Sequence, residues 1–133
     1  MVSGALPQPP ISATLGMKIT SVDAGVVVFA LEPDESLYNP VGVVHGGVAA
    51  TLLDSAMACA VYTTLNERER STTLEIKVSY VGAVTVATGR LLGEGRIVHR
   101  GRTIATAEGR LIAEHDERLL AHATTTCLVN GGA

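Results

Sequence analysis

The chain has 133 residues, of which 47% are hydrophobic, and its formal net charge at pH 7 is −3. This length suits one domain with its own hydrophobic core. The acidic balance and the aromatic content of 3% argue against a nucleic-acid partner, because such binding usually needs a basic stripe or stacking rings.

Residues 1–14 are proline-rich and lack the charged start and apolar core of a signal peptide, so we interpret them as a loose lead-in to one domain over residues 15–130. The longest apolar stretch, residues 47–62, is too short to span a bilayer, and we expect no membrane partner. The two cysteines, Cys59 and Cys127, lie at no metal-ligand spacing. We therefore expect no bound metal and a reducing, cytoplasmic setting.

The first half of the chain predicts a hairpin followed by a helix. Two β-type runs, residues 15–22 and 26–31, flank Asp23-Ala24-Gly25, which has a turn composition. A nearly all-apolar helix then extends from the glycine pair at 46–47 to about residue 64. Apolar residues cover almost its whole circumference, which predicts that it is buried on all sides.

The second half predicts four strands. Residues 73–81 alternate strictly, so Thr73 and the other polar residues should face away from an apolar face formed by Leu74, Ile76, Val78 and Tyr80. Further β-type runs cover residues 84–98, 102–114 and 118–129, with turn-like breaks at 99–101 and 115–117. The predicted order is β-β-α-β-β-β-β, an α+β fold in which a long antiparallel sheet wraps around one central helix.

The start of the predicted helix has two features that indicate a functional site. Gly46 and Gly47 place bare backbone N–H groups at a helix N-terminus, which attracts negative charge. Asp54 is a carboxylate in the middle of the apolar helix, where a charge without a partner is costly. From the residues alone, a plain tight turn and a structural carboxylate are the alternatives.

The pattern Asn39…Gly42…His45-Gly46-Gly47…Asp54, followed by the strand at 72–80, resembles the hotdog-fold acyl-CoA thioesterases of the phenylacetate-degradation type. The resemblance covers about residues 15–129 and departs from the family at Gly82-Ala83, where many relatives have Arg-Pro. It implies a hotdog fold and hydrolysis of an aryl- or medium-chain acyl-CoA to the free acid and coenzyme A. It implies no cofactor apart from the coenzyme A of the substrate.

The resemblance also implies catalytic roles for individual residues. The N–H of Gly46 would stabilise the oxyanion, and Asp54 would act either as nucleophile or as general base. The amide of Asn39 would face the thioester, and His45 would shape the turn. The hydroxyl of Thr73 would lie near the carboxylate, with Thr72 as a one-residue alternative.

A cluster of arginines is the candidate for binding coenzyme A. Arg96, Arg100 and Arg102 lie near a predicted hairpin, and guanidinium groups suit phosphates. We expect Arg100 and Arg102 to contact the phosphates, with Gly101 and Gly47 as backbone that the substrate can approach. The alternative is a solvated charged surface.

The spacing within the helix predicts a shared site between two subunits. Gly46 and Asp54 are eight residues apart, so their backbones lie about 12 Å apart on a helix. One carbonyl carbon cannot easily contact both groups of one chain, whereas an antiparallel second subunit could supply one of them. We therefore expect a dimer, and the resemblance also implies a dimer or a dimer of dimers.

Two other functions remain as alternatives. An acyl-CoA binding or regulatory module would keep the fold and the pocket without turnover, although Asp54 favours an enzyme. A hotdog enoyl-CoA hydratase or dehydratase would need a catalytic histidine with a second acid, and no such acid is suitably placed in the motif.

Overall fold

The computed structural model describes residues 8–131, which form two helices and six strands. Two short 3-10 turns, Glu35–Leu37 and Val86–Thr88, lie in the connections. In chain order the elements are α1 (Pro10–Leu15), β1 (Met17–Asp23), β2 (Val26–Leu31), α2 (Gly46–Tyr62), β3 (Arg70–Tyr80), β4 (Leu91–Arg100), β5 (Ile104–Ala113) and β6 (Leu119–Asn130).

The six strands form one antiparallel sheet in the order β1-β2-β4-β5-β6-β3, and α2 packs across it. This confirms the α+β hotdog fold, with one long helix packed on a six-stranded antiparallel sheet. It also confirms the first hairpin. In the predicted lead-in, residues 1–7 lie outside the described residues, whereas Pro10–Leu15 is helical rather than loose.

Helix α2 lies very close to the sheet because the strands beneath it provide glycines. A Cβ on Gly95 would lie 2.3 Å from the backbone carbonyl carbon of Ala56, so only glycine fits there. Gly109 is the cross-strand partner of Gly95 and faces Met57. The sheet-facing side of the helix is buried and consists of Ala49, Leu52, Leu53, Ala56, Met57, Ala60 and Val61.

The prediction that α2 is buried on all sides is wrong for the single chain. A single sheet covers only one side of a helix, and the other side is half-buried or exposed. This uncovered side consists of Gly47, Ala50, Thr51, Asp54, Ser55, Ala58, Cys59 and Tyr62. Among residues 8–131, no helix is long and apolar enough to cross a membrane.

A β-bulge changes the two faces of β3. Thr73 pairs with Cys127 and Glu75 with Thr126, so Leu74 is an extra residue without a partner. Thr73 therefore turns towards the helix, on the same side as Ile76, while Leu74 is 57% exposed. The prediction that Leu74 shares a face with Ile76 and that Thr73 lies on the opposite face is wrong, because simple alternation assumes an uninterrupted ladder.

The strand predicted from residue 84 begins only at Leu91. Residues 81–90 form a loop, and Val84 in that loop accepts a hydrogen bond from the Val44 N–H at 2.8 Å. The break predicted at 99–101 also lies slightly later, because His99 and Arg100 still pair with β5. The next break, at 115–117, is confirmed as a turn.

Candidate active site

Helix α2 begins with a histidine cap. His45 is the N-cap residue, and its Nδ1 accepts a hydrogen bond from the Gly47 N–H at 2.8 Å. The Gly46 N–H, by contrast, makes no hydrogen bond with any of residues 8–131. A free N–H at a helix start attracts negative charge. The glycine pair therefore offers one available donor rather than two, and His45 shapes this turn directly.

Tyr80 is a site residue that sequence analysis did not single out. Its hydroxyl donates a hydrogen bond to the carbonyl oxygen of Gly46 at 2.6 Å. Its ring is so close that a Cβ on Gly46 would lie 3.0 Å from the Tyr80 Cζ atom. The alternation of residues 73–81 predicted part of this arrangement, because it placed Tyr80 on the same face of the strand as Ile76 and Val78. The hydroxyl contact depends on how β3 meets α2.

Asn39 organises the loop that precedes α2. Its side-chain oxygen accepts hydrogen bonds from the N–H groups of Val41 at 3.0 Å and Val43 at 3.3 Å. Its own N–H donates to the Val43 carbonyl at 2.8 Å. Asn39 lines the same groove as Gly46. The amide oxygen thus serves the loop, whereas the amide nitrogen has no hydrogen-bond partner among the described residues.

The groove beside the start of α2, which we call the N-terminal groove, has a volume of about 370 Å³. Aspartate, glutamate, lysine and arginine are absent from its lining within the described chain. Gly82 and Ala83, the positions that depart from the family pattern, contribute to its wall. Its other apolar lining comes from Val43, Val44, Val48, Ala49, Leu52, Val81, Val84, Leu91, Leu111, Leu120 and Ala121.

Asp54 is held by Thr73. The Thr73 hydroxyl donates a hydrogen bond to the Asp54 Oδ1 atom at 3.0 Å, and the bulge at Leu74 is what turns Thr73 towards the helix. Thr72 is exposed on the other side of the strand. Asp54 forms no ion pair within residues 8–131. Its carboxylate is therefore oriented by one neutral donor, and no cation among the described residues neutralises it.

A second groove, the Asp54 groove, has a volume of about 320 Å³. Cys59 also lines it, and burial together with the negative charge of Asp54 raises the pKa of this thiol to about 11. The thiol is therefore protonated at neutral pH and is a poor nucleophile there. The remaining lining residues are Pro9, Ile19, Phe29, Ser55, Ala58, Tyr62, Ser71 and Thr73.

The two grooves are separate within one chain. They share no lining residue, although Gly46 and Asp54 belong to the same helix. A larger cavity of about 770 Å³ lies at the C-terminal end of α2 and shares only Tyr62 and Ser71 with the Asp54 groove. The described chain alone thus does not bring the Gly46 N–H and the Asp54 carboxylate into one cavity.

The predicted arginines have different environments. Arg100 forms an ion pair with Glu69 at 2.5 Å, donates to the Thr64 hydroxyl at 3.0 Å and also donates to the Gly101 carbonyl. The hydrogen bond from Arg100 lowers the pKa of the Glu69 carboxyl. Arg102 is exposed in the turn between β4 and β5. Arg100 therefore ties the loop after α2 to β4, while Arg102 is presented to solvent.

Comparisons of the sequence and of the structure with known proteins point to the same family. The family model described as thioesterase superfamily matches residues 41–120, a range that includes Gly46, Asp54 and Thr73. The 1,4-dihydroxy-2-naphthoyl-CoA hydrolase of Listeria monocytogenes serotype 1/2a (strain 10403S) is 28% identical over 116 residues, which is 87% of this chain and 92% of that protein.

Two solved structures extend the similarity to the whole fold. A phenylacetic acid degradation-related protein from Ralstonia eutropha JMP134 has a TM-score of 0.83 and 34% identity, covering 94% of this chain and 93% of the other. A thioesterase family protein from Silicibacter pomeroyi has a TM-score of 0.86 and 28% identity, covering 93% and 91% of the two chains.

Proposed function

The chain belongs to the thioesterase superfamily and is a thioester hydrolase, and from this premise we propose that it hydrolyses an aryl- or medium-chain acyl-CoA to the free acid and coenzyme A. The observation that carries the proposal is the environment of the Asp54 carboxylate. This carboxylate has no ion pair within the described chain, is held by Thr73 and lies in a groove. An oriented carboxylate that faces a cavity is suited to act on a bound substrate.

The Gly46 N–H is the proposed oxyanion donor. Attack on the thioester carbonyl carbon moves negative charge onto the carbonyl oxygen, and a donor already fixed in place stabilises that charge. The Gly46 N–H has no partner among residues 8–131 and lies at the positive end of a 17-residue helix. The side-chain nitrogen of Asn39, in the same groove, is proposed to orient the thioester.

Asp54 can drive the reaction by two routes. As a general base it takes a proton from water, the water oxygen attacks the carbonyl carbon, the C–S bond breaks and the coenzyme A thiolate is protonated on leaving. As a nucleophile it attacks the same carbon, the C–S bond breaks and the coenzyme A thiolate leaves, and water then cleaves the resulting mixed anhydride to the free acid and the aspartate. Thr73 orients the carboxylate in both routes. Rapid-quench mass spectrometry separates them, because only the second route forms an acyl adduct on Asp54.

A second copy of the chain is proposed to complete the site. Within one chain, Gly46 and Asp54 face different grooves. β3 is an edge strand of 11 residues, and beside it lies the uncovered side of α2, which has small residues such as Ala50 and Ala58. Antiparallel association along this edge would place the N-terminal groove of one subunit opposite the Asp54 groove of the other. We propose such a dimer, alone or as part of a dimer of dimers.

The N-terminal groove supports an apolar acyl group. Its wall is mainly aliphatic, with no lysine, arginine, aspartate or glutamate from the described chain, so a charged acyl group would lose hydration without gaining a partner. The Listeria relative is named for a naphthoyl-CoA substrate, and the Ralstonia structure is named for phenylacetic acid degradation. We therefore propose aryl-CoA thioesters as the first class to test.

The proposed reaction uses no cofactor beyond the coenzyme A of the substrate, because a carboxylate, a water molecule and a backbone N–H supply its chemistry. Both cysteines are free thiols. This agrees with the reducing, cytoplasmic location that we propose.

Thiol release from a panel of aryl- and alkyl-CoA thioesters tests the proposal. We expect hydrolysis by the wild type and a loss of about 10³-fold or more in kcat for both Asp54→Asn and Asp54→Ala, because each removes the base or nucleophile. Asp116→Asn, the same change of carboxylate to amide in the exposed turn between β5 and β6 and outside both grooves, is the control and should retain activity. Tight binding without thiol release would instead support a binding module. With an unsaturated acyl-CoA as substrate, loss of the enoyl absorbance without thiol release would indicate a hydratase.

A further inference from the structure

We infer that the Tyr80 hydroxyl is a positioning residue for the oxyanion donor, an inference that rests on the proposed hydrolysis. Tyr80 would not contact the substrate carbonyl through this role. It would act by fixing the peptide group that follows Gly46, and through it the direction of the Gly46 N–H.

The peptide between Gly46 and Gly47 is held at both of its polar ends. Tyr80 donates a hydrogen bond to its carbonyl oxygen at 2.6 Å, and the His45 Nδ1 accepts one from its N–H at 2.8 Å. Hydrogen bonds on the two ends of one peptide polarise and strengthen each other. The plane of this peptide is therefore fixed by two side chains from different parts of the sequence.

The peptide that precedes Gly46 contains the proposed oxyanion donor. Its carbonyl oxygen, on His45, accepts a hydrogen bond from the Val48 N–H at 2.9 Å. The Gly46 Cα is thus the single flexible point between two anchored peptide planes. Glycine has more conformational freedom than any other residue, so an anchor on each side is needed to hold its N–H in one direction. Tyr80 provides the anchor that does not come from the helix turn itself.

Glycine at position 46 and tyrosine at position 80 depend on each other. A Cβ at residue 46 would lie 3.0 Å from both the Cζ and the hydroxyl oxygen of Tyr80, so the ring would have to move by a few tenths of an ångström to accept a larger residue there. Tyr80 lines the N-terminal groove and is 56% exposed, so it is not part of the buried core. Loss of the hydroxyl should loosen the donor without unfolding the domain.

The test compares Tyr80→Phe with Tyr38→Phe. Tyr38 is a matched control, because its hydroxyl accepts a hydrogen bond from the Val86 N–H at 2.8 Å but does not contact the Gly46 peptide. On the best acyl-CoA substrate of the wild type, we expect Tyr80→Phe to lower kcat by about tenfold and to change KM by less than about twofold, as for loss of one hydrogen bond that matters in the transition state. Tyr38→Phe should change neither constant.

A double variant separates positioning from a general structural effect. In Gly46→Pro the donor is absent, so adding Tyr80→Phe should change kcat by less than about twofold. An unchanged kcat in Tyr80→Phe, or equal losses in Tyr80→Phe and Tyr38→Phe, would overturn the inference and leave the proposed function intact. Absence of hydrolysis by the wild type would overturn the proposed function and this inference together.

Discussion

Thr73 controls the orientation of the only carboxylate in the uncovered side of α2. Its hydroxyl bonds the Asp54 Oδ1 atom, and it reaches the helix because Leu74 is bulged out of the ladder. Bulges are common next to active sites, where they redirect a side chain. At the residue scale, the β-bulge at Leu74 therefore makes possible the candidate catalytic contact between Thr73 and Asp54.

We expect Thr73→Val to lower kcat/KM by about tenfold, because it removes a hydrogen bond to a charged group while keeping the shape of the side chain. Steady-state kinetics measures the loss. Thr72→Val is the matched control, since Thr72 is exposed and makes no contact with Asp54. Equal activity in the two variants would show that Thr73 has no role in orienting the carboxylate.

Gly46→Pro tests the proposed oxyanion donor directly, because proline lacks an N–H. The substitution suits the backbone, since proline is favoured at the first helical position and His45 has the extended conformation that precedes proline (φ −57°, ψ 135°). Gly46→Ala is the control: it adds the same Cβ contact with Tyr80 but keeps the N–H.

For this pair we expect kcat of Gly46→Pro to be about 10²–10³-fold below that of Gly46→Ala, as for loss of one oxyanion donor. Circular dichroism should show that both variants are folded. Similar kcat values for the two would contradict an oxyanion role for this N–H.

At the scale of elements, an ion pair ties the loop that follows α2 to β4. Arg100 in β4 joins Glu69 and Thr64, both of which follow the helix. The guanidinium is one-quarter exposed and its donors already have partners within the chain. This arrangement favours a structural role for Arg100, whereas the proposed phosphate contact fits the exposed Arg102 better.

Three glutamine variants distinguish these roles. We expect Arg100→Gln and Glu69→Gln to lower Tm to a similar extent with KM for acyl-CoA within about twofold of wild type, because each breaks the same pair. We expect Arg102→Gln to raise KM several-fold with Tm unchanged, because a guanidinium–phosphate contact is lost. A raised KM in Arg100→Gln but not in Glu69→Gln would show that Arg100 binds the phosphates.

The same pair gives a pH dependence with a definite sign. Arg100 lowers the pKa of Glu69, so the folded state favours the ionised carboxylate. The resulting stabilisation is present above the unfolded-state pKa of this group and is lost as the pH falls through its folded-state pKa. The Tm difference between wild type and Glu69→Gln should therefore shrink at acid pH. A constant difference across the acid range would contradict this account.

The local patterns of the sequence predicted most elements but not their interruptions. Residues 23–25 form the expected hairpin turn, and α2 begins at the expected glycines. The strand expected from residue 84 fails, because Val84 bonds the loop before α2 instead of a neighbouring strand. Such a choice depends on a contact between distant parts of the chain, and β-branched composition alone does not encode it.

At the scale of the whole molecule, the proposed site belongs to two subunits. Each subunit would supply the Gly46 N–H to one thioester and Asp54 to the other. A mixture of two inactive variants tests this geometry, because their heterodimer would contain one intact site and one site with both defects.

We expect Asp54→Asn and Gly46→Pro, each nearly inactive alone, to recover about a quarter of wild-type kcat after they are unfolded and refolded as an equal mixture, since half of the dimers would be mixed and each would have one active site. The same variants refolded separately and then assayed together at once are the control. No recovery in stable mixed dimers would show that both groups act within one chain.

The sequence by itself determined the order of the main elements and identified Gly46 and Asp54 as candidates, because glycine spacing and polarity are local properties, and its resemblance to the family added Asn39 and Thr73. Only the tertiary structure decided which of these groups are free to contact a substrate and which are already engaged within the chain. It paired the Gly47 N–H with His45, engaged Arg100 with Glu69, turned Thr73 inwards through the bulge and brought Tyr80 onto Gly46. Each of these outcomes depends on a hydrogen-bond partner or a strand register, and except for the His45 cap the decisive contact comes from a distant part of the chain.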